Sequence, residues 1–167
     1  ALGTGGALKN AEHLLKGCPF ILHNADIVSD IDLKSLISYH LSSENLVTLA
    51  VHDHPEFNNV TIDNAGYLKS VGDPETSGVE EVKAVAYSGI SVYASDFLNI
   101  LPEGPSSLVD GWFQTIREGK RIGTFDVTGS FWNDIGTPSR YASALFEMLK
   151  NDGETVYLHP SAKGCGD

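Results

Sequence analysis

At 167 residues the chain is long enough for one domain with a substantial core, and 41% hydrophobic with 20% charged residues is the balance of an ordinary globular protein. A formal net charge of -11 excludes a general nucleic-acid binder, because affinity for a phosphate backbone comes from clustered Lys and Arg. It leaves room for small phosphorylated substrates, whose charge a divalent cation can carry locally.

In chain order, "GALKNAEHLLKG" predicts a helix with Ala7, Leu8, Ala11, Leu14 and Leu15 on one side and Gly17 at its C-terminal end. "FILHNA" is a short strand that stops at Asn24-Ala25-Asp26. "DLKSLISYHLSS" predicts an amphipathic helix capped by Asp32, with Leu33, Leu36, Ile37 and Leu41 facing inward. "LVTLAVHD" is a nearly continuous apolar run, the pattern of a strand covered on both faces. "NVTIDNAGYLKSVGD" predicts a hairpin turning at Asn64-Ala65-Gly66, and Asp73 to Gly78 is a loop. "AVAYSGISVYA" is a strand interrupted by Gly89.

A short helix near "SDFLNIL" and a longer one near "SLVDGWFQTIREG" follow, then the strand pair "RIGTFDV" and "SFWND". "TPSRYASALFEMLK" is a last helix, with Thr137 as N-cap, Pro138 at the first helical position, and Tyr141, Leu145, Met148 and Leu149 as its buried stripe. Strands alternating with helices, with one hairpin inserted, indicate a three-layer α/β fold with a mixed sheet. No run approaches the roughly 18 apolar residues of a membrane span. "ALGTGGALKN" lacks the basic and apolar regions of a signal peptide. Cys18 and Cys165 are too few and too far apart for a disulfide scaffold or a zinc site. A cytoplasmic protein with reduced cysteines is the expectation.

Three constellations carry chemistry. Asp26 and Asp134 each stand where a strand gives way to a loop, the place where ligands gather in open α/β sheets. Two carboxylates converging there suit Mg²⁺, although a turn former or helix cap is the commoner use of such an Asp. Ala25 and Gly136 are small enough to let a substrate approach the backbone. In "LGTGGAL", Gly3, Gly5 and Gly6 lead into a helix and offer free N–H groups to a ligand, without forming a Walker or dinucleotide motif. In "AYSGISVY", Gly89 marks a bulge or a close approach, and Tyr87 and Ser88 offer hydroxyls to a sugar. His52-Asp53-His54 reads as a solvent-facing alternation, His23 as an oriented core or supporting histidine, and no Gly-x-Ser-x-Gly elbow is present.

The order "LGTGGALKNA", "FILHNAD", hairpin, "YSGISVY", "FWNDIGTPSRYASAL" resembles the sugar-1-phosphate nucleotidylyltransferases, in particular mannose-1-phosphate guanylyltransferase-like and N-acetylmuramate-1-phosphate uridylyltransferase-like members. The resemblance spans roughly residues 1 to 150. It implies a Rossmann-like nucleotidyltransferase fold with a mixed sheet and the reaction of an NTP with a sugar 1-phosphate to give an NDP-sugar and pyrophosphate. By the resemblance, Asp26 and Asp134 hold the catalytic Mg²⁺. Leu2, Gly3, Thr4, Gly5, Gly6 and Ala25 lie along the nucleotide, and Tyr87, Ser88, Gly89 and Ile90 face the sugar.

The resemblance also sets expectations about extent. Such enzymes begin with a strand and a "GxGTRLxPxTxxxPK" loop, so this chain is expected to lack the first βαβ portion and to be inactive alone. The apolar surface this would expose could promote a homo-oligomer, and the sequence leaves the oligomeric state open. Many relatives carry a Glu-Lys-Pro after the hairpin. Here that place reads "SVGDPETSG", which leaves Lys69 or Lys83 to meet the sugar phosphate. Residues 151–167 are expected to form a separate tail, whose "VYLHPSAKG" resembles the first coil of a hexapeptide β-helix. A cytidylyltransferase of a phosphoalcohol and a non-catalytic regulatory subunit are the alternative readings.

Overall fold

The structure is a computed structural model that describes residues 1–72, 82–151, 153 and 161. The expected loop at 73–78, Cys165 and nearly all of the expected tail lie outside the described residues.

Strand β3 (Val47–His52) is the centre of the molecule, and every one of its residues is buried. Leu49 and Val51 point into one apolar cluster and Ala50 into another, which is why its sequence shows no alternation. On one edge β3 pairs in parallel with β7 (Ile122–Asp126), and on the other it pairs antiparallel with the long β6 (Val82–Tyr93). The first half of β6 takes β4 (Val60–Asp63) as its second neighbour, and the last residues take β1 (Phe20–His23).

β4 turns into β5 (Leu68–Val71) through the predicted hairpin. Asp63 Oδ1 accepts the N–H groups of Ala65 and Tyr67, and Gly66 adopts a φ of 81°. The sheet curls enough for the hairpin to reach the opposite edge. Tyr67 bridges to Gly123, and the Thr124 hydroxyl donates to the Gly66 carbonyl at 2.9 Å.

Helices cover both faces, and the mixed α/β layering agrees with the sequence. Helix α3 (Leu33–Ser42) seals one face with Leu36, and Asp32 caps it by accepting from the N–H groups of Lys34 and Ser35. Helix α4 (Leu108–Arg117), capped by Ser107, covers the other with Trp112, beside a short 3-10 helix at Ser95–Asn99 that buries Phe97. Helix α1 (Gly3–Asn10) packs on α4 and continues, after a turn at Ala11, into the short α2 (Glu12–Leu15). Gly17, at a φ of 93°, ends that region as expected.

Several details differ from the sequence reading. The first helix starts at Gly3, so the glycines form its opening turn and do not precede it. Leu14 and Leu41 are exposed, and His40 takes the inward place in α3, its Nδ1 2.9 Å from the Thr48 hydroxyl. β7 and β8 (Trp132–Asp134) are not partners. β8 pairs with β2 (Ile27–Ser29), a strand of three residues too short for periodicity to reveal. In α5 (Pro138–Asn151), Tyr141, Leu145 and Met148 of the expected buried stripe are exposed, and Ala144 is the buried residue. Its start is as expected, with the Thr137 hydroxyl accepting from the Arg140 N–H.

Candidate active site

The two aspartates meet because β2 and β8 meet. β1 ends at His23, the chain turns through Asn24, Ala25 and Asp26, and β2 then pairs Ile27 directly opposite Asp134. The Ile135 N–H donates to the Asp26 carbonyl at 2.8 Å and ties the two loop starts together. The Gly136 N–H donates to Asp134 Oδ1 at 2.8 Å. A methyl group built on Gly136 would stand 3.0 Å from Asp134 Oδ1 and 3.3 Å from Asp26 Oδ2, so both carboxylates reach one small space above a bare backbone. Among the described residues no third His, Cys, Asp or Glu joins them in a metal-binding group.

The other oxygen of Asp134 is engaged. Arg140 Nη1 donates to Asp134 Oδ2 at 3.1 Å, and Nη2 donates to Glu56 Oε1 at 3.2 Å. The guanidinium also lies 4.9 Å from the centre of the Phe57 ring. These groups line a hollow of about 150 Å³ with His54 and Trp132. Arg140 escaped the sequence reading because nothing in "GTPSRY" indicates which face of α5 it occupies.

A larger cleft of about 660 Å³ opens beside the aspartate turn. Leu2, Gly3 and Thr4 form one wall, Asn59 and Val60 another, and Asn24, Tyr87 and Trp112 contribute from between. The cleft joins Leu2, Gly3 and Thr4 of "LGTGG" and Tyr87 of "AYSGISVY" with Asn24, two positions before Asp26. Asn24 was legible only as part of the strand end before Asp26, and Asn59 and Trp112 carried no sequence signal of their own.

The motifs do not present their groups as expected. Gly5 and Gly6 donate their N–H groups to the Ser106 carbonyl at 3.1 and 3.3 Å, so those two donors are not open to a ligand. The glycines are needed for packing. A Cβ on Gly6 would stand 2.3 Å from the Gly104 carbonyl oxygen, and one on Gly3 would stand 2.5 Å from that of Ser106. Ser88 is fully buried, and its hydroxyl accepts from the Ile90 N–H. Gly89, at a φ of 81°, lies against Asn24 and Ile27, so the close approach is made by the chain itself. Tyr87 alone of this motif lines the cleft, its hydroxyl 2.8 Å from that of Ser91, and burial pushes its phenol well up from the usual range. Ala25 is exposed beside Asp26 but does not line the cleft.

The remaining candidates separate clearly. Lys69 is paired with Asp63 at 2.8 Å in the hairpin, and Lys83 is exposed on β6. His23 is exposed and donates to the Asn24 carbonyl, so it is neither core nor bound to either aspartate. His52 is buried, contrary to the solvent-facing reading. It packs edge-on to Trp132 at 4.6 Å between ring centres, with Nε2 unpartnered, and burial pulls its pKa down. Trp132 is held in turn by donating to the Ser88 carbonyl at 2.7 Å.

Comparisons with known proteins bear on the family and the fold of the chain. The model of the family described as Nucleotidyl transferase matches residues 1–151. The chain is 27% identical over 188 residues to a mannose-1-phosphate guanyltransferase of Pichia angusta, covering 98% of this chain and 51% of that protein. It is 26% identical over 173 residues to a mannose-1-phosphate guanylyltransferase catalytic subunit beta of Drosophila pseudoobscura pseudoobscura, covering 98% and 45%. The chain thus spans about half the length of the curated relatives it matches. Among solved structures, HddC from Yersinia pseudotuberculosis superposes with a TM-score of 0.67 at 23% identity, over 88% of this chain and 63% of that one. A UDP-glucose pyrophosphorylase from Acinetobacter baumannii superposes with a TM-score of 0.69 at 16% identity, over 96% and 59%. At these identities the structural likeness speaks for the fold.

Proposed function

The chain belongs to the nucleotidyl transferase family, and on that premise we propose that it forms part of the catalytic domain of a sugar-1-phosphate nucleotidylyltransferase, which joins an NTP and a sugar 1-phosphate into an NDP-sugar with release of pyrophosphate. The observation that carries the reading is the convergence of Asp26 and Asp134 over Gly136, beside a cleft walled by Leu2, Gly3 and Thr4.

The residues fit a divalent cation of the Mg²⁺ type. Two hard carboxylate oxygens face one space that a single methyl group would fill, and Mg²⁺ characteristically takes one or two carboxylates and completes its shell with waters and substrate phosphates. When bound there, the ion neutralises charge on the reacting phosphates.

The chain's own groups then divide the remaining work. The apolar wall of Leu2, Val60 and Trp112 takes the flat or aliphatic parts of the substrates and excludes water from them. Asn24 and Asn59 supply amides, and Tyr87 supplies a hydroxyl that its burial keeps protonated, as a neutral hydrogen-bond partner for sugar hydroxyls. Ser88 and Gly89 act behind the cleft, where the bulge seats Asn24 and Ile27. An oxygen of the sugar phosphate attacks the α-phosphorus in line, and pyrophosphate departs with the bond electrons. No protein nucleophile is required, so catalysis is positioning and charge stabilisation.

None of the helices among the described residues is long and apolar enough to cross a membrane, and a cytoplasmic location, where nucleoside triphosphates are plentiful, belongs to this reading. The test is pyrophosphate release by the protein at its full length, screened over NTPs and sugar 1-phosphates. Asp26→Asn and Asp134→Asn should each cut turnover by roughly a hundredfold or more, since several kcal/mol of charge stabilisation is at stake. Wild-type rates in either variant would refute the metal assignment.

A further inference from the structure

Resting on that metal reading, we infer that Arg140 is a positioning residue that aims Asp134 at the cation. The two oxygens of Asp134 have separate partners. Oδ1 accepts from the Gly136 N–H at 2.8 Å and faces the space shared with Asp26, whereas Oδ2 accepts from Arg140 Nη1 at 3.1 Å. The terminal torsion of an Asp side chain is broad and nearly two-fold, so one hydrogen bond does not determine which way its carboxylate plane lies. A second donor on the opposite oxygen does.

Arg140 is suited to that task because it is itself held at several points. Its backbone N–H donates to the Thr137 hydroxyl at the start of α5, its Nη2 donates to Glu56 Oε1 at 3.2 Å, and its guanidinium covers Phe57. The planar fork sends one nitrogen to each carboxylate in a fixed geometry, which the single, freely rotating nitrogen of an ammonium does not impose.

Charge alone would make a guanidinium beside a cation site unhelpful, since like charges repel. Glu56 answers this: Arg140 and Glu56 together carry no net charge, and what remains is orientation. All three residues are partly or largely exposed, so the ion pairs contribute little to stability, and a purely structural role leaves them unexplained. The same bridge couples the aspartate turn to the segment before β4. Three residues beyond Glu56 in that segment, Asn59 lines the large cleft.

The experiment measures Mn²⁺ binding by electron paramagnetic resonance on the protein at its full length, with and without nucleotide. The Arg140→Met, Glu56→Gln double variant removes one charge of each sign and so leaves the net charge unaltered. It should raise the Mn²⁺ Kd about tenfold, the lower end of what loss of a partner to a metal ligand costs, while metal-free nucleotide affinity and melting temperature stay near wild type. Arg140→Lys should fall between the two, and it serves as the decisive variant if the double variant does not fold. Unchanged or tighter Mn²⁺ binding in these variants overturns the inference. Asp134→Asn separates the two claims. If it loses Mn²⁺ while the Arg140 variants keep it, only the positioning role fails; if it keeps Mn²⁺, the metal reading fails and takes this inference with it.

Discussion

Replacing Gly136 by alanine is a sharp test of the site because it separates occupancy from folding. The backbone there lies outside the left-handed region, so alanine is sterically permitted. The added methyl would stand 3.0 Å from Asp134 Oδ1 and 3.3 Å from Asp26 Oδ2, contacts that a few tenths of an ångström of carboxylate movement relieve. Lost freedom of the unfolded chain favours the alanine by about 0.4–1 kcal/mol, and crowding opposes it, so net stability should change by less than about 1 kcal/mol. The consequence for a cation is much larger. Magnesium binds oxygens at about 2.0–2.1 Å, and a methyl carbon at these distances occupies the volume that the ion and its inner waters need. Mn²⁺ titration with pyrophosphate release should show affinity and turnover reduced by about tenfold or more, with a melting temperature that moves by no more than a few degrees. A Gly136→Ala protein that binds Mn²⁺ and turns over like wild type would show that the ion does not sit between these aspartates.

Two further outcomes follow from packing. In Gly6→Ala the new carbon would stand 2.3 Å from the Gly104 carbonyl oxygen, backbone that cannot rotate away. About 1–3 kcal/mol of stability should be lost in urea unfolding, and the KM for nucleotide should rise as the cleft wall shifts. The second concerns acid. His40 and His52 both have pKa values lowered by burial, so between their folded values and the ordinary 6.5 the unfolded chain binds more protons. Stability is therefore full above about pH 6.5 and falls as the pH drops below it. His52→Phe should keep or raise the melting temperature at pH 7, because the unpartnered Nε2 disappears, and should flatten part of the acid slope. An acid slope identical to wild type would refute this account.

What could be read from the sequence was what local chemistry decides. Asp32 and Thr137 announce helix starts because a cap acts within three residues, and Asn64-Ala65-Gly66 announces a turn for the same reason. The apolar run of β3 is legible because two covered faces leave no alternation. Leu14, Tyr141 and Leu145 misled because periodicity identifies an apolar face without saying whether anything covers it. β2 was invisible because three residues acquire strand geometry only from their pairing with β8, far along the chain. At the site, the aspartates were legible as strand ends and through family resemblance. The Arg140–Glu56 bridge was not, since two charged surface residues on separate elements leave no pattern in one sequence.

The irregularity in β6 constrains how this protein can change. Opposite β3, Leu49 meets Ser91 and Val51 meets Tyr87, so Ser88, Gly89 and Ile90 together face Ala50. Two surplus residues keep inward and outward positions in step along both halves of the strand, whereas loss of one would invert a half. Tyr87 would then turn its ring away from the cleft. Descendants of this fold are free to exchange side chains along β6, but gaps there must come in even numbers.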